Sequence, residues 1–224
     1  MPLNASSVWN TRTLVFDFSL DKMNITKTSQ SKRPYRMSAR ADAANATAER
    51  LLEAAWRHFA TRPYEQVRLR EIAAEAGVTV QTLHLRFHSK DELLSAAYAW
   101  FGRQELASRP PAPAADVPEA LALLFDRYEE HGQAVLRMLS QEQRIPAIKR
   151  MTDAGRAYHR HWVQTTFESQ LAGLSGEPYE RRLAAILLVT DLLAWKLLRQ
   201  DMGLDREKSE RVVAEMIQSL LPAR

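Results

Sequence analysis

In the stretch REIAAEAGVTVQTLHLRFHSKDELL (residues 70–94), Gln81 and Arg86 carry the side chains best suited to paired hydrogen bonding. A carboxamide matches the N6/N7 edge of adenine, and a guanidinium matches the O6/N7 edge of guanine. Thr82 and His84 can reach a phosphate or a base edge, while Val80 and Leu85 can touch a thymine methyl. To act together, these groups must project from one short helix whose other side, Leu83 and Phe87, is buried. Arg68 and Arg70 add a second signal. They stand at the amino-terminal end of the preceding helix, where the macrodipole disfavours cations, and a bound phosphate would reverse that penalty. Lys90, at the start of a further helix, is another candidate for phosphate. The chemistry implied is recognition of a duplex.

The elements that must hold these groups follow from spacing. In NATAERLLEAAWRHFATRPY, Ala48, Leu51, Leu52, Ala55 and Phe59 recur at helical intervals, and Pro63 closes the segment. A second helix over about 69–76 places Leu69, Ile72, Ala73 and Ala76 at i, i+3, i+4 and i+7. Gly77 suits the left-handed residue that ends a helix, and Thr79 is a good cap for the next one, which runs to about Phe87. Ser89 caps a fourth helix over 90–107, with Asp91 and Glu92 in its first turn. Two helices joined by a tight glycine turn and braced by a third make a helix-turn-helix over about 69–88. Its second helix fits the major groove. The plain alternative is a helical hairpin with a polar face.

Composition narrows the function classes. The 224 residues contain no cysteine, which excludes disulfides, cysteine zinc sites and thiol nucleophiles, and suits a reducing cytoplasm. The net charge of +4 is uneven. Residues 1–40 carry seven basic side chains against two acidic ones, whereas residues 104–224 carry sixteen against seventeen. The basic character belongs to the amino-terminal arm. Residues 1–42 show no sustained period and are expected to be disordered. Met37 offers an alternative start that would leave 1–36 outside the native protein. The most apolar stretch, LAAILLVTDLLAWKLL (183–198), is short of a membrane span and holds Asp191 and Lys196. No Gly-rich phosphate loop, Glu-x-x-His pair or serine elbow is present, so no catalytic residue and no cofactor is expected. An all-α enzyme remains the rival class.

Segment 44–94 closely resembles the DNA-binding domain of TetR-family transcriptional regulators. The matching residues are Ile72-Ala73, Ala76-Gly77-Val78, Thr82-Leu83, Phe87 and Ser89-Lys90, followed by the acidic start of the fourth helix. Two positions depart from the family pattern. His84 stands where the family usually has Tyr, and Arg68 stands where it favours a Thr cap. The resemblance implies an all-α chain of about nine helices. A DNA-binding domain would span 43–104, and a ligand-binding and dimerisation domain 105–224. It also implies a transcriptional regulator, read as a repressor released from its operator by a small organic ligand. A DNA binder of similar fold without a ligand switch, activating or architectural, is the alternative.

The second half is helical throughout by pattern, with segments expected at about 118–130, 132–143, 146–173, 178–201 and 205–221 after a Pro/Ala connector (108–118). Helix 178–201 is apolar nearly all round, so it must be covered on more than one side. The family's last two long helices pair with those of a partner. Ile186, Val189, Leu193, Leu197, Val213, Met216, Ile217 and Leu220 are accordingly expected at a homodimer interface. Tyr158 and Trp162 share a face with His159 at its edge. Together with Met138 and Trp195 they are expected to line an apolar ligand pocket with a few polar groups. Plain core packing is the competing reading. His159 and His161, two apart on a helix, point to different sides and cannot share one ion, so no metal site is expected. The anticipated partners are therefore double-stranded DNA with a near-palindromic site, a small organic ligand and a second copy of the chain, with no membrane.

Overall fold

The computed structural model describes the backbone of residues 34–108 and 116–220, and the side chains of 43–105 and 116–220. Most of the expected connector (109–115 of 108–118) and most of the expected basic arm (1–33) lie outside the described residues, as does Leu221. The elements are α1 (Pro34–Thr61), a 3-10 turn (Tyr64–Gln66), α2 (Leu69–Glu75), α3 (Val80–Arg86), α4 (Lys90–Ser108), α5 (Val117–Leu139), α6 (Pro146–Thr166), α7 (Glu168–Leu171), α8 (Gly176–Val189), α9 (Leu192–Lys196), a π-turn (Leu197–Asp201) and α10 (Arg206–Ser219). The fold is all-α, with no strand among the described residues. Helix α1 begins at Pro34, so residues 34–42, expected to be disordered, are helical. Proline suits such a start because its missing N–H would have had no partner there.

The chain divides into two compact units. Among the described residues, the first holds 34–58 and 67–104, the second 59–66, 105–108 and 116–220. Both α1 and α4 supply residues to each unit.

In the first unit, Leu51, Ala55, Ile72, Leu83, Leu93 and Leu94 are fully or almost fully buried. Trp56 stacks on Phe101 with ring centroids 4.2 Å apart. Helix α2 is tied to α1 by His58 Nε2, 2.7 Å from Glu75 Oε2, and by Arg57, 2.8 Å from the same carboxylate.

In the second unit, Leu121, Phe125, Val163, Phe167, Leu183, Ile186 and Ile217 form the heart of one core. Helix α5 is a single helix across 117–139, whereas two were expected with a break near Gly132. Gly132 is buried, and a Cβ added there would lie 2.8 Å from the Trp195 ring. It permits close approach of Trp195 and leaves the helix intact. Helix α6 ends at Thr166, short of the expected 173, because Phe167 leaves helical geometry and turns into the core.

The expected long helix 178–201 is instead broken at Thr190. Asp191 Oδ1 accepts from Leu193 N at 2.8 Å to cap α9, and Tyr128 Oη donates to the Thr190 carbonyl at 2.8 Å. The π-turn follows, closed by Met202 N donating to Leu197 O at 2.9 Å. A capping aspartate after Thr190 gives the chain a local alternative to continued helix, and Tyr128 satisfies a carbonyl the break exposes.

Residues 59–66 pack within the second unit. Tyr64 N donates to Gln141 Oε1 at 2.7 Å, and Arg137 donates to the Ala60 carbonyl. No helix among the described residues is long and apolar enough to cross a membrane.

Candidate nucleic-acid interface

The turn between α2 and α3 is set by Gly77, whose φ of +69° lies in the left-handed region. Val78 N donates to Ala73 O at 2.9 Å and Gly77 N to Ala74 O at 3.1 Å, so two carbonyls at the end of α2 are satisfied. A Cβ at Gly77 would meet nothing within 4 Å. Glycine is therefore required by conformation and not by space. Two residues later Thr79 caps α3: its Oγ1 accepts from Thr82 N at 3.1 Å and lies 2.9 Å from Thr82 Oγ1. Thr82 is thus engaged in holding the helix start. Beyond α3, Ser89 Oγ accepts from Glu92 N at 3.1 Å, and the Glu92 carboxylate accepts from His88 N at 2.9 Å.

This arrangement fixes α3 with Leu83 wholly buried and Val80, Gln81, Thr82, His84, Leu85 and Arg86 exposed. Leu85 is 77% exposed and Val80 38%. Arg68 and Arg70 are exposed at the start of α2, and Arg68 occupies the cap position without a side-chain capping bond. An arginine has no acceptor to offer the free N–H groups of a helix start, which is why this cap differs from that of α3. Lys90 is half-buried at the start of α4. The face can hydrogen-bond and contact methyl groups, and it bears cations at its edges.

The residues expected around a ligand are distributed differently. Trp195 is buried in the second unit's core, with its Nε1 donating to Glu129 Oε1 at 3.2 Å and its ring filling the space beside Gly132. Trp162 packs against the same core, 5.6 Å from the stacked ring of His159. Tyr158 accepts from Arg127 Nη1 at 3.4 Å, and that guanidinium lies 5.5 Å from the Tyr158 ring centre. Met138 is buried but outside this cluster. Trp195 and Trp162 thus pack against the core. A cleft of about 510 Å³ lies between α6, α7 and the start of α8, lined by His161, Gln164, Thr165, Glu168, Leu171 and Tyr179 among others, and none of the five side chains lines it.

His159 Nε2 is 3.1 Å from Thr190 Oγ1, which itself donates to the Ile186 carbonyl at 2.7 Å. With the hydroxyl proton directed at the Ile186 carbonyl, the tautomer of His159 that carries its proton on Nε2 complements this pair. Burial holds the His159 pKa below its ordinary value, while nearby Asp191 opposes that shift. Burial also pushes the Tyr128 phenol far above its usual range, so it remains a donor.

A different group, Glu105, Glu130 and His131, brings potential metal-ligand atoms within 4.8 Å of one another. His131 Nε2 lies 3.0 Å from Glu105 Oε1 and 3.7 Å from Glu130 Oε1. No spacing along the chain marks this group, since Glu105 is distant from the other two.

The expected dimer residues fall into two sets. Ile186, Val189, Val213 and Ile217 are buried inside this chain and belong to its own core, which corrects their assignment to an interface. Their stripe faces α5 and the other helices of the unit. Leu193, Leu197 and Met216 are exposed by 58%, 51% and 47%, while Leu220 is half-buried against the core. Leu188 and Met202 join the exposed set and were missed, although the all-round apolar pattern of this segment was the available signal.

The described residues thus form an all-α fold with a helix-turn-helix whose second helix faces outward. Residues 51–97 match the family model described as bacterial regulatory proteins, tetR family. The fold extends beyond the matched segment. A TetR transcription regulator from Haloarcula marismortui is 19% identical with a TM-score of 0.60, covering 79% of this chain and 98% of its own. A transcriptional regulator from Rhodococcus sp. Rha1 is 21% identical with a TM-score of 0.57, covering 77% of this chain and 94% of its own. No curated protein matches the chain significantly.

Proposed function

We propose that this protein is a sequence-specific transcriptional repressor that binds a near-palindromic operator as a homodimer and leaves it when a small organic molecule binds the second unit. The observation that carries the reading is α3. It is short, capped by Thr79, anchored by Leu83, and presents Gln81, His84, Leu85 and Arg86 to solvent. Gln81 and Arg86 read base edges, with Val80 and Leu85 against methyl groups. Arg68, Arg70, Thr79, Thr82, His84 and Lys90 serve the backbone. Two-fold symmetry of the protein imposes two-fold symmetry on the site.

Exposed Leu188, Leu193, Leu197, Met202 and Met216, spread from α8 through α9 and the π-turn to α10, support dimerisation, since large apolar side chains left open to solvent suit an interaction surface. For release, α4 is the shared element. It begins at Lys90 and continues into the second unit from Glu105. A ligand that displaces Tyr158, His159 and Trp162, with Trp195 and Met138 adjusting, shifts α4 and so the separation of the two recognition helices. DNA then weakens the ligand by the same factor, a coupling of about 1–3 kcal/mol.

A second reading, a DNA-binding protein of this fold without a ligand switch, is favoured by one observation: the aromatic cluster is already filled by its own packing. Sequencing DNA recovered with the purified protein tests the shared core of both readings. A symmetric consensus supports operator binding, and recovery without sequence preference contradicts it. Titrating the recovered operator complex with a panel of small organic molecules separates the two readings.

A further inference from the structure

We propose that Leu85 reads the 5-methyl group of a thymine in each half-site, about two base pairs from an adenine held by Gln81. The inference rests on the operator-binding reading above and specifies what that operator contains. Isolated surface leucines are ordinary. Leu85 differs in its setting: it is 77% exposed, two residues from the wholly buried Leu83, on a helix otherwise outwardly polar apart from Val80.

Gln81 and Leu85 are four residues apart, so they stand on one stripe of α3 about 6 Å apart along its axis. Successive bases on a strand are ~3.4 Å apart, which makes that interval close to two steps. A carboxamide pairs with the adenine edge, and an isobutyl group offers nothing that a cytosine amino group or a guanine carbonyl could bond. Its complement in the major groove is the thymine methyl.

The test begins with a site selected from random DNA by the full-length protein. Each thymine is then replaced singly by uracil, which removes only the methyl. The expected result is one position per half-site where uracil weakens binding about fourfold, corresponding to ~0.8 kcal/mol for one buried methyl group. An adenine should stand two base pairs away. In Leu85→Ala the discrimination between thymine and uracil at that position should vanish, while Leu85→Met should keep part of it. Leu85 is exposed, so circular dichroism should show an unchanged fold in both variants. Uniform tolerance of uracil by the parent protein overturns the inference, as does discrimination that persists in Leu85→Ala. A selection that enriches no sequence overturns the operator-binding reading as well, and the two failures are thereby distinguished.

Discussion

Replacing Gly77 by alanine isolates the conformational demand of the helix-turn-helix from its packing. The φ of +69° puts an L-residue in the left-handed region, at a cost of roughly 1–2 kcal/mol. A Cβ there meets nothing within 4 Å, so no steric term adds to that cost. The substitution also restricts the unfolded chain, which returns about 0.4–1 kcal/mol. The net expectation is a loss of about 1 kcal/mol. Gly77→Asn should lose less, because asparagine tolerates the left-handed region. Denaturant unfolding of the full chain, followed by far-ultraviolet circular dichroism, measures the shift. The reasoning is refuted if Gly77→Ala is as stable as the parent, or if alanine and asparagine are equally destabilising.

Three further outcomes are expected. Thr79→Ala removes the side-chain cap of α3 and should cost about 1 kcal/mol in the same assay, with Thr79→Ser retaining most of it. Leu193→Glu combined with Leu197→Glu should shift the protein towards monomer in sedimentation equilibrium while preserving helicity, whereas Ile186→Ala should cost about 2–5 kcal/mol of folding stability. His159 should make stability fall with acidification. Its folded pKa lies below the unfolded value of about 6.5, so the unfolded chain binds the proton first. The contribution is complete above that value and is lost as pH falls towards and through the folded pKa. Comparing His159→Gln with the parent from pH 8 to pH 5 should show a shallower loss in the variant.

Local rules made the first unit legible. Gly77, Thr79, Ser89 and the apolar spacing of Ile72, Ala73, Leu83 and Phe87 act within a few residues of themselves, and each does in the structure what its type implies. Element ends in the second unit were less legible because distant partners decide them. Gly132 looks like a helix break in isolation, yet it is the hollow for Trp195. Thr190 looks like helix interior, yet Asp191 and Tyr128 together stabilise a break there. The aromatic residues of α6 show the same limit. Their type fits a ligand pocket or a core equally, and the packing of Trp162 against buried residues is set by tertiary neighbours that spacing does not reveal. Separating buried from exposed leucines in 183–198 likewise depends on where α8 stops.

In the proposed complex, α3 reads sequence while its flanks hold the backbone. Binding of the parent protein, Gln81→Ala, Arg86→Ala and Lys90→Ala to the recovered operator and to its single-base variants, at several salt concentrations, measures this division most directly. Lys90→Ala should weaken binding to all the sequences alike and lower the salt slope by about one. Gln81→Ala and Arg86→Ala should each relax the preference at particular bases by about 1–3 kcal/mol. Equal losses on every sequence in all three variants would contradict the account.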